Sequence, residues 1–316
     1  MLKRPRTDFW RVGIVPAPIH GLDRPALAAL QPHTVWLPDA GAWRYLADPF
    51  GLLRGDTLHV FVEAFDYRSK HAVIERHDLD MAELRWRRKR TVLARPFHLS
   101  YPFVFEDEGQ TYMVPESHQA NEIALYRATD ASLDHWEREC ALLSDLPGAD
   151  ASLLQHEGRW WMFYTLVGPN GRDQRELHLA HAPSLKGPWQ PLEQNPVRVD
   201  LAGARPAGRP FHDDNGSVLL PVQDSSTGYG GAVRMLRFMR LSPSQVLLQP
   251  TPLHLTGELL STDHVQGLHT FSACGPFTLV DVKRVDHSRQ KQWLDLKRRA
   301  RRLRGQLAGL LGLRAA

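Results

Sequence analysis

Five strand-turn-strand units recur along this chain, and a sequence that repeats one pattern five times has few folds open to it. The clearest unit is 100–117, Ser-Tyr-Pro-Phe-Val-Phe-Glu-Asp-Glu-Gly-Gln-Thr-Tyr-Met-Val-Pro-Glu-Ser. Two apolar runs flank an acidic glycine turn, Glu106 to Gly109, the signature of a tight antiparallel hairpin. Related units run 48–63, 150–165, 209–223 and, with a shortened turn, 269–281. With Asp48, Tyr101, Asp150, Arg209 and His269 taken as equivalent, the spacings are 53, 49, 59 and 60 residues. A single hairpin cannot bury its own faces, and periods near 50 residues with strand-like texture predict an all-β, five-bladed β-propeller.

On this reading each repeat supplies the inner two strands of a blade, and the segments between repeats supply the outer two. Residues 71–77 and 82–88 follow the first hairpin, 122–127 and 136–140 the second, 176–182 and 187–189 the third, and 232–238 the fourth. The strand-like run 10–15 precedes the first blade and is expected to close the ring by joining the last, which removes exposed sheet edges. The Pro- and Ala-rich stretch from Pro16 to Ala42 is expected to wrap the outside, with Trp36 and Trp43 as anchors. The propeller is assigned to residues 1–286 as one domain.

From His287 the texture changes. Trp293, Leu296, Ala300, Leu303, Leu307 and Leu310 alternate three and four apart, so 287–316 is expected to form a C-terminal amphipathic helix. Those thirty residues hold nine Lys and Arg against one Asp, so the net charge of +4 conceals a body near −4. Overall basicity is therefore no argument for nucleic acid, and none is expected as a partner. The helix is expected either to meet an anionic membrane surface or to dock by its leucines on the propeller or a partner protein. Cys140 and Cys274 show no metal-ligand spacing, and there is no signal-peptide pattern or membrane-spanning run. The expected location is cytoplasmic, peripheral on the inner membrane face if the helix meets lipid.

In a hairpin the first residue of one strand and the last of its partner lie at the same end. Asp48, Tyr101, Asp150, Arg209 and His269 should therefore share one mouth of the channel with Glu63, Glu116, Thr165, Gln223, Asp224 and Asp281. Repetition alone would place similar small or apolar residues there, whereas this ring is polar and charged. Glycosidic chemistry needs a carboxylate near the anomeric centre and a proton donor for the leaving oxygen. Asp48 and Asp150 are candidates to face each other across a funnel, with Glu63 or Glu116 as acid, since burial beside other carboxylates raises a pKa. The structural alternative for each is a strand-end residue paired with arginine or backbone. Arg205 and Arg209 have the chemistry to hold a phosphate or carboxylate, or to neutralise neighbouring acids. The Gly-rich loop 225–231 opens no helix, so it is read as a flexible loop over the mouth. His178 and His181 alternate with apolar residues in an outer strand and are read as structural.

Asp48-Pro49-Phe50, Asp150-Ala151-Ser152 and the fivefold spacing resemble glycoside hydrolase family 43, five-bladed propellers acting on furanosides and related sugars. The runs 98–106, 114–117 and 204–211 resemble more closely the N-terminal propeller domain of glucosamine inositolphosphorylceramide transferase. The family 43 resemblance implies Asp48 as general base and Asp150 as the carboxylate that tunes and orients the acid. That family's acid, a Glu opening the fourth blade, has no match here, and Arg209 with Arg205 stands in its region. His269 falls where the family often has a histidine facing a central calcium or water, so the resemblance admits a calcium ion beside His269, while the residues themselves call for no cofactor. The expectation is a carbohydrate-active propeller taking a carbohydrate or sugar nucleotide, by glycosyl transfer or glycoside hydrolysis, in surface-polysaccharide or glycolipid assembly. Tyr101, Arg205, Arg209, Gln223, Asp224 and His269 are its expected substrate contacts. The alternatives are a non-catalytic sugar-binding or scaffold propeller that lost its acid, and a protein-interaction propeller.

Overall fold

The computed structural model describes residues 6–310, and five antiparallel sheets follow one another around a central channel. Blade 1 comprises Arg44–Arg54, Thr57–Asp66, His71–Asp80 and Arg85–Leu93. Blade 2 comprises Ser100–Asp107, Gln110–Glu116, Glu122–Ala128 and Trp136–Ser144. Blade 3 is built on Gly148–His156, Arg159–Leu166 and Glu176–Ala182, and blade 4 on Phe211–His212, Val218–Asp224, Ala232–Ser242 and Gln245–Thr256. Blade 5 closes the ring: Phe271–Cys274 and Phe277–Asp286 are completed by Thr7–Val15, which pairs from Thr7↔Asp286 to Val15↔Thr278. The expected closure by the N-terminal strand is therefore present.

The outer edge of blade 3 departs from expectation. No strand forms at 187–189; instead Gln190–Pro191 and Arg198–Val199 make two short pairings with Glu176–Ala182. Pro188, Pro191 and Pro196 explain this, because proline cannot donate to the ladder. Along the 16–42 stretch a short helix forms, Arg24–Leu30, capped by Asp23 Oδ1 accepting from Ala26 N at 2.8 Å and anchored by buried Leu27.

Strand burial falls from the channel outward. In Ser100–Asp107 the first six residues are buried, whereas most of Arg85–Leu93 is exposed. Between blades lie apolar wedges: Phe61, Phe103 and Trp160 help fill the space across blades 1 to 3, Phe163, Leu220 and Phe238 that between blades 3 and 4. Ile14, Val60 and Leu279 seal blade 5 against blade 1. Each wedge removes apolar faces from water that no blade can bury alone.

One backbone device positions the site. Blades 1, 2 and 3 each carry a bulge near the start of the inner strand, between Ala47 and Phe50, Ser100 and Phe103, and Ala149 and Ser152. The bulged residues Asp48, Tyr101 and Asp150 lie in the left-handed region, at φ 51°, 45° and 49°. A bulge re-aims its side chain out of the strand's alternation.

Candidate functional site

The mouth is an acid cluster wrapped around one arginine. Glu63 lies within the second strand of blade 1, three residues before its end at Asp66, and Glu116 ends that of blade 2; each faces the residue before a bulge, Ala47↔Glu63 and Ser100↔Glu116. All four expected carboxylates are buried, Asp48 at 6%, Glu63 at 5%, Glu116 at 8% and Asp150 at 2% exposure. Burial disfavours charge, so each must find partners or hold its proton.

They solve this differently. Asp150 accepts from Arg205 Nε at 2.6 Å and Nη2 at 3.3 Å, and from Gln223 Nε2 at 3.2 Å. Burial pushes the Asp150 carboxyl up while Arg205 pulls it down. Burial outweighs that pull, so the Asp150 carboxyl stands well above the usual carboxylate range although Arg205 grips it with two prongs, and Arg205 in turn is held well above its own ordinary range by the acids around it. Arg205 also reaches Asp173 Oδ2 at 2.7 Å and Glu116 Oε2 at 3.6 Å. Burial alone would raise Glu116, but His118 Nδ1 at 2.7 Å and the Arg205 charge bring it down to about 2. Glu63 has no such cation: its neighbours are Tyr45 Oη and His98 Nε2, both at 3.4 Å. Burial, then Asp48 and Glu116, push its carboxyl well above the usual range. Asp48 accepts from Tyr101 N at 3.2 Å and Thr270 Oγ1 at 3.3 Å, and burial, against the pull of His269, brings it up to about 6.

The fourth blade corrects the register. Gln223 N donates to Arg205 O at 2.8 Å and Ala207 N to Pro221 O at 2.9 Å, so Arg205, not Arg209, faces the end of the second strand. Arg-Pro occurs twice, at 205–206 and 209–210, and the Pro-Phe after the second resembles Pro49-Phe50. Backbone pairing selects the first. Arg209 lies deeper in the channel, its guanidinium 4.8 Å over Phe103 and donating to the carbonyls of Ala273 and Val104. It contacts no mouth carboxylate among the described residues.

Two further expected contacts serve the fold. Tyr101 is fully buried, its hydroxyl accepting from Gly208 N at 2.7 Å and bonded to Ser152 Oγ at 2.9 Å, which ties blades 2, 3 and 4 together. Asp224, adjacent to Gln223 and so on the other face of its strand, holds Arg234 Nε at 2.7 Å and Ser226. Loop 225–231 is pinned rather than loose. Lys283 Nζ donates to Tyr229 O, Leu268 N to Gly230 O at 3.1 Å, and the Tyr229 ring lies 5.6 Å from the Arg205 guanidinium. His178 and His181 contact Glu176 and Arg159 in blade 3, as structural residues do.

His269, Asp48 and Asp281 offer ligand atoms within 4.8 Å of one another, the place for the calcium that the resemblance admits. The donor set does not fit that ion. Asp281 Oδ1 accepts from His269 N and Thr270 N, and Oδ2 accepts from Asp48 N at 2.9 Å and lies 2.7 Å from His269 Nδ1. Calcium needs six to eight oxygens, and both of Asp281's are already engaged. His269 instead stacks on Trp10 at 3.6 Å and ties Asp281 toward Asp48.

Residues outside the expected set complete the mouth: Tyr45, His98, His118, Asp173, Tyr229 and Thr270. His98 and Tyr229 sit in segments the sequence already marked. Asp173 comes from a short turn, Arg172–Arg175, that carries no repeat signal.

Residues 37–267, most of the chain, match the family described as glucosamine inositolphosphorylceramide transferase 1, N-terminal. The chain belongs to this family. It is 37% identical over 213 residues to glucosamine inositolphosphorylceramide transferase 1 of Oryza sativa subsp. indica, an alignment covering 66% of this chain and 28% of that protein. With the Arabidopsis thaliana protein of the same name it is 29% identical over 273 residues, 78% of this chain and 34% of the relative. The chain thus spans about a third or less of these relatives. Among solved structures, an alpha-L-arabinofuranosidase from Podospora anserina in complex with cellotriose matches at a TM-score of 0.56 and 11% identity, covering 78% of this chain and 93% of that one. A thermostable family-43 glycoside hydrolase matches at a TM-score of 0.51 and 15% identity, covering 70% and 82%. At such identities the likeness concerns the fold. A shared fold does not by itself confer an activity.

Proposed function

We propose that this propeller acts on a glycan or activated sugar at its acid mouth, by glycosyl transfer or glycoside hydrolysis, with Glu63 as proton donor and Asp48 as base or stabilising carboxylate. One observation carries the reading. Glu63 and Glu116 occupy equivalent positions opposite the bulges of adjacent blades, yet one is pushed well above its usual range and the other down to about 2. Carboxyls of opposite proton affinity in one mouth are how a site keeps an acid and an anion together at neutral pH. Glu63 would protonate a leaving oxygen, while ionised Glu116, held by His118 and Arg205, would bind and orient. Asp150, clamped by Arg205, is a positioning residue. The relatives' name, which joins glucosamine to inositolphosphorylceramide, supports a role in glycolipid or surface-polysaccharide assembly.

In the full chain, Glu63→Gln and Asp48→Asn should each lower turnover of a nucleotide sugar or oligosaccharide by about 100-fold or more, with substrate binding retained. Turnover unchanged in both variants would overturn the reading. The Arg205 clamp on Asp150 favours a second reading, a sugar-binding module without turnover. Binding across a panel of nucleotide sugars and oligosaccharides with no turnover of any would establish it.

We propose that the protein sits at the cytoplasmic face of a membrane, held by its basic helix. Gln290–Leu310 touches the propeller through Arg298, whose Nη1 donates to Tyr67 O at 3.2 Å, and through Lys291, which lies 5.2 Å over the Tyr67 ring. Trp293 and Leu296 remain 67% and 54% exposed, so the expected docking by apolar side chains is not made there. Exposed Trp293 and Leu296 beside Lys297 and Arg299 support contact with an anionic lipid surface. Among the described residues no helix is long and apolar enough to cross a membrane.

A further inference from the structure

A cavity of about 680 Å³ opens beside the mouth between the N-terminal strand and the segment 37–45. Its position follows from the short outer strand of blade 5. Val35–Trp36 pairs only with Gly13 and Ile14, so Thr7–Arg11 keeps one edge uncovered by a strand. Leu37 N still donates to Val12 O at 3.0 Å, but beyond it residues 38–45 stand off from that edge, and the space between them is the cavity. Tyr45 and Trp10 belong to its lining and also touch the acid cluster, Tyr45 through Glu63 and Trp10 through the His269 ring.

Two features mark it as a built site. The first is aromatic. Trp43 is held at φ 63°, an uncommon conformation for a bulky side chain, by Tyr67 N donating to its carbonyl at 2.8 Å and Arg44 N bonding Gly41 O at 3.2 Å. Its ring lies 6.1 Å from Phe9, and Tyr45 stacks on Phe65 at 4.9 Å. The second is charge. The lining acids are already engaged: Asp39 by Gly41 N, Asp286 by Ser288, and Asp263 by Ser261 and His264. Arg44 is engaged by Glu75 at 2.9 Å. Arg11 and Arg284 lie over Trp36 and Phe9, at 4.8 and 5.4 Å, and neither makes an ion pair among the described residues. Their charges act on the lining acids, Arg11 on Asp263 and Arg284 on Asp286, without a direct ion pair, so the cavity keeps two guanidiniums with open hydrogen-bond donors beside half-buried aromatic rings.

We infer that this cavity is a binding site for an anionic sugar, its pyranose face on Trp43 and its phosphate or carboxylate on Arg284 and Arg11. The volume suits one small ligand. Guanidinium forks match phosphate and carboxylate, and an indole face accepts the C–H face of a sugar ring. The inference does not depend on any reaction at the mouth, and its readout is binding rather than turnover.

The test titrates the full chain with glucose 1-phosphate, glucuronate, glucose and inorganic phosphate, read by calorimetry and by tryptophan fluorescence. At least one of the two anionic sugars should bind, and more tightly than glucose or phosphate alone. Whichever of them binds identifies the anion. Arg284→Gln should weaken that binding roughly tenfold or more while leaving the fold intact. Trp43→Ala should weaken it and remove the fluorescence change. No binding by either anionic sugar, or binding that neither substitution alters, would overturn the assignment.

Discussion

Asp48 combines three demands at one position: a left-handed backbone, a buried carboxyl and a place in the acid cluster. Its sign in the stability balance follows from its proton. The folded protein holds that proton up to about pH 6, the unfolded chain only to about its ordinary value of 3.8. The contribution of Asp48 to stability therefore falls as pH rises from 3.8 to about 6, and is flat above. Asn tolerates the left-handed conformation and cannot ionise. Asp48→Asn should accordingly stabilise the protein by about 1–3 kcal/mol at pH 7 in urea denaturation, an advantage that vanishes below pH 4. A difference independent of pH would refute this account. Glu116 has the opposite sign: its ionised form, held by His118 and Arg205, adds stability that is lost as pH falls from its ordinary 4.5 toward 2. The identities of these residues were legible in the chain, and so was their common end of the hairpin. Their protonation was not, because it depends on which cation lies near which carboxylate.

At the scale of the element, the inner strands decide which side chains meet. The bulges of blades 1 to 3 turn Asp48, Tyr101 and Asp150 out of the regular alternation, but their outcomes differ: two carboxylates join the cluster, while the phenol becomes a strut across the channel. Hairpin periodicity could not reveal a single extra residue in each strand, nor the choice between two Arg-Pro pairs in blade 4. That choice rests on Gly208, whose φ of 147° brings the chain against blade 5, where a Cβ would lie 2.3 Å from Phe271 O. Gly208→Ala should cost roughly 2–5 kcal/mol of stability, from strain and a backbone clash together. Gly109→Ala, at φ 75° in open space, should cost only about 1 kcal/mol. Equal midpoint shifts for the two variants in chemical denaturation would contradict this view of the channel.

For the whole molecule, the ring is closed by its own N-terminal strand, and the C-terminal helix lies outside that closure. Removing 290–316 should leave the melting temperature of the propeller within a few degrees, because among the described residues the helix touches it through the partly exposed Lys291 and Arg298. The same deletion should abolish co-sedimentation with phosphatidylserine vesicles, since each basic residue near a lipid surface contributes about 1 kcal/mol. Retained co-sedimentation would move the lipid contact elsewhere, and binding to neutral vesicles alone would remove the charge argument.

By itself the amino-acid sequence determined the blade number, the closing strand and the acidic end of the channel, because these follow from hairpins repeated at a fixed period and from strand-end residues that local pairing must place together. Only the tertiary structure decided that Arg205 clamps Asp150, that Glu63 is left without a cation, and that Arg209 sinks into the channel. Each of those outcomes depends on side chains from different blades, 50 to 100 residues apart, competing for the same partners inside a space too small to hydrate them.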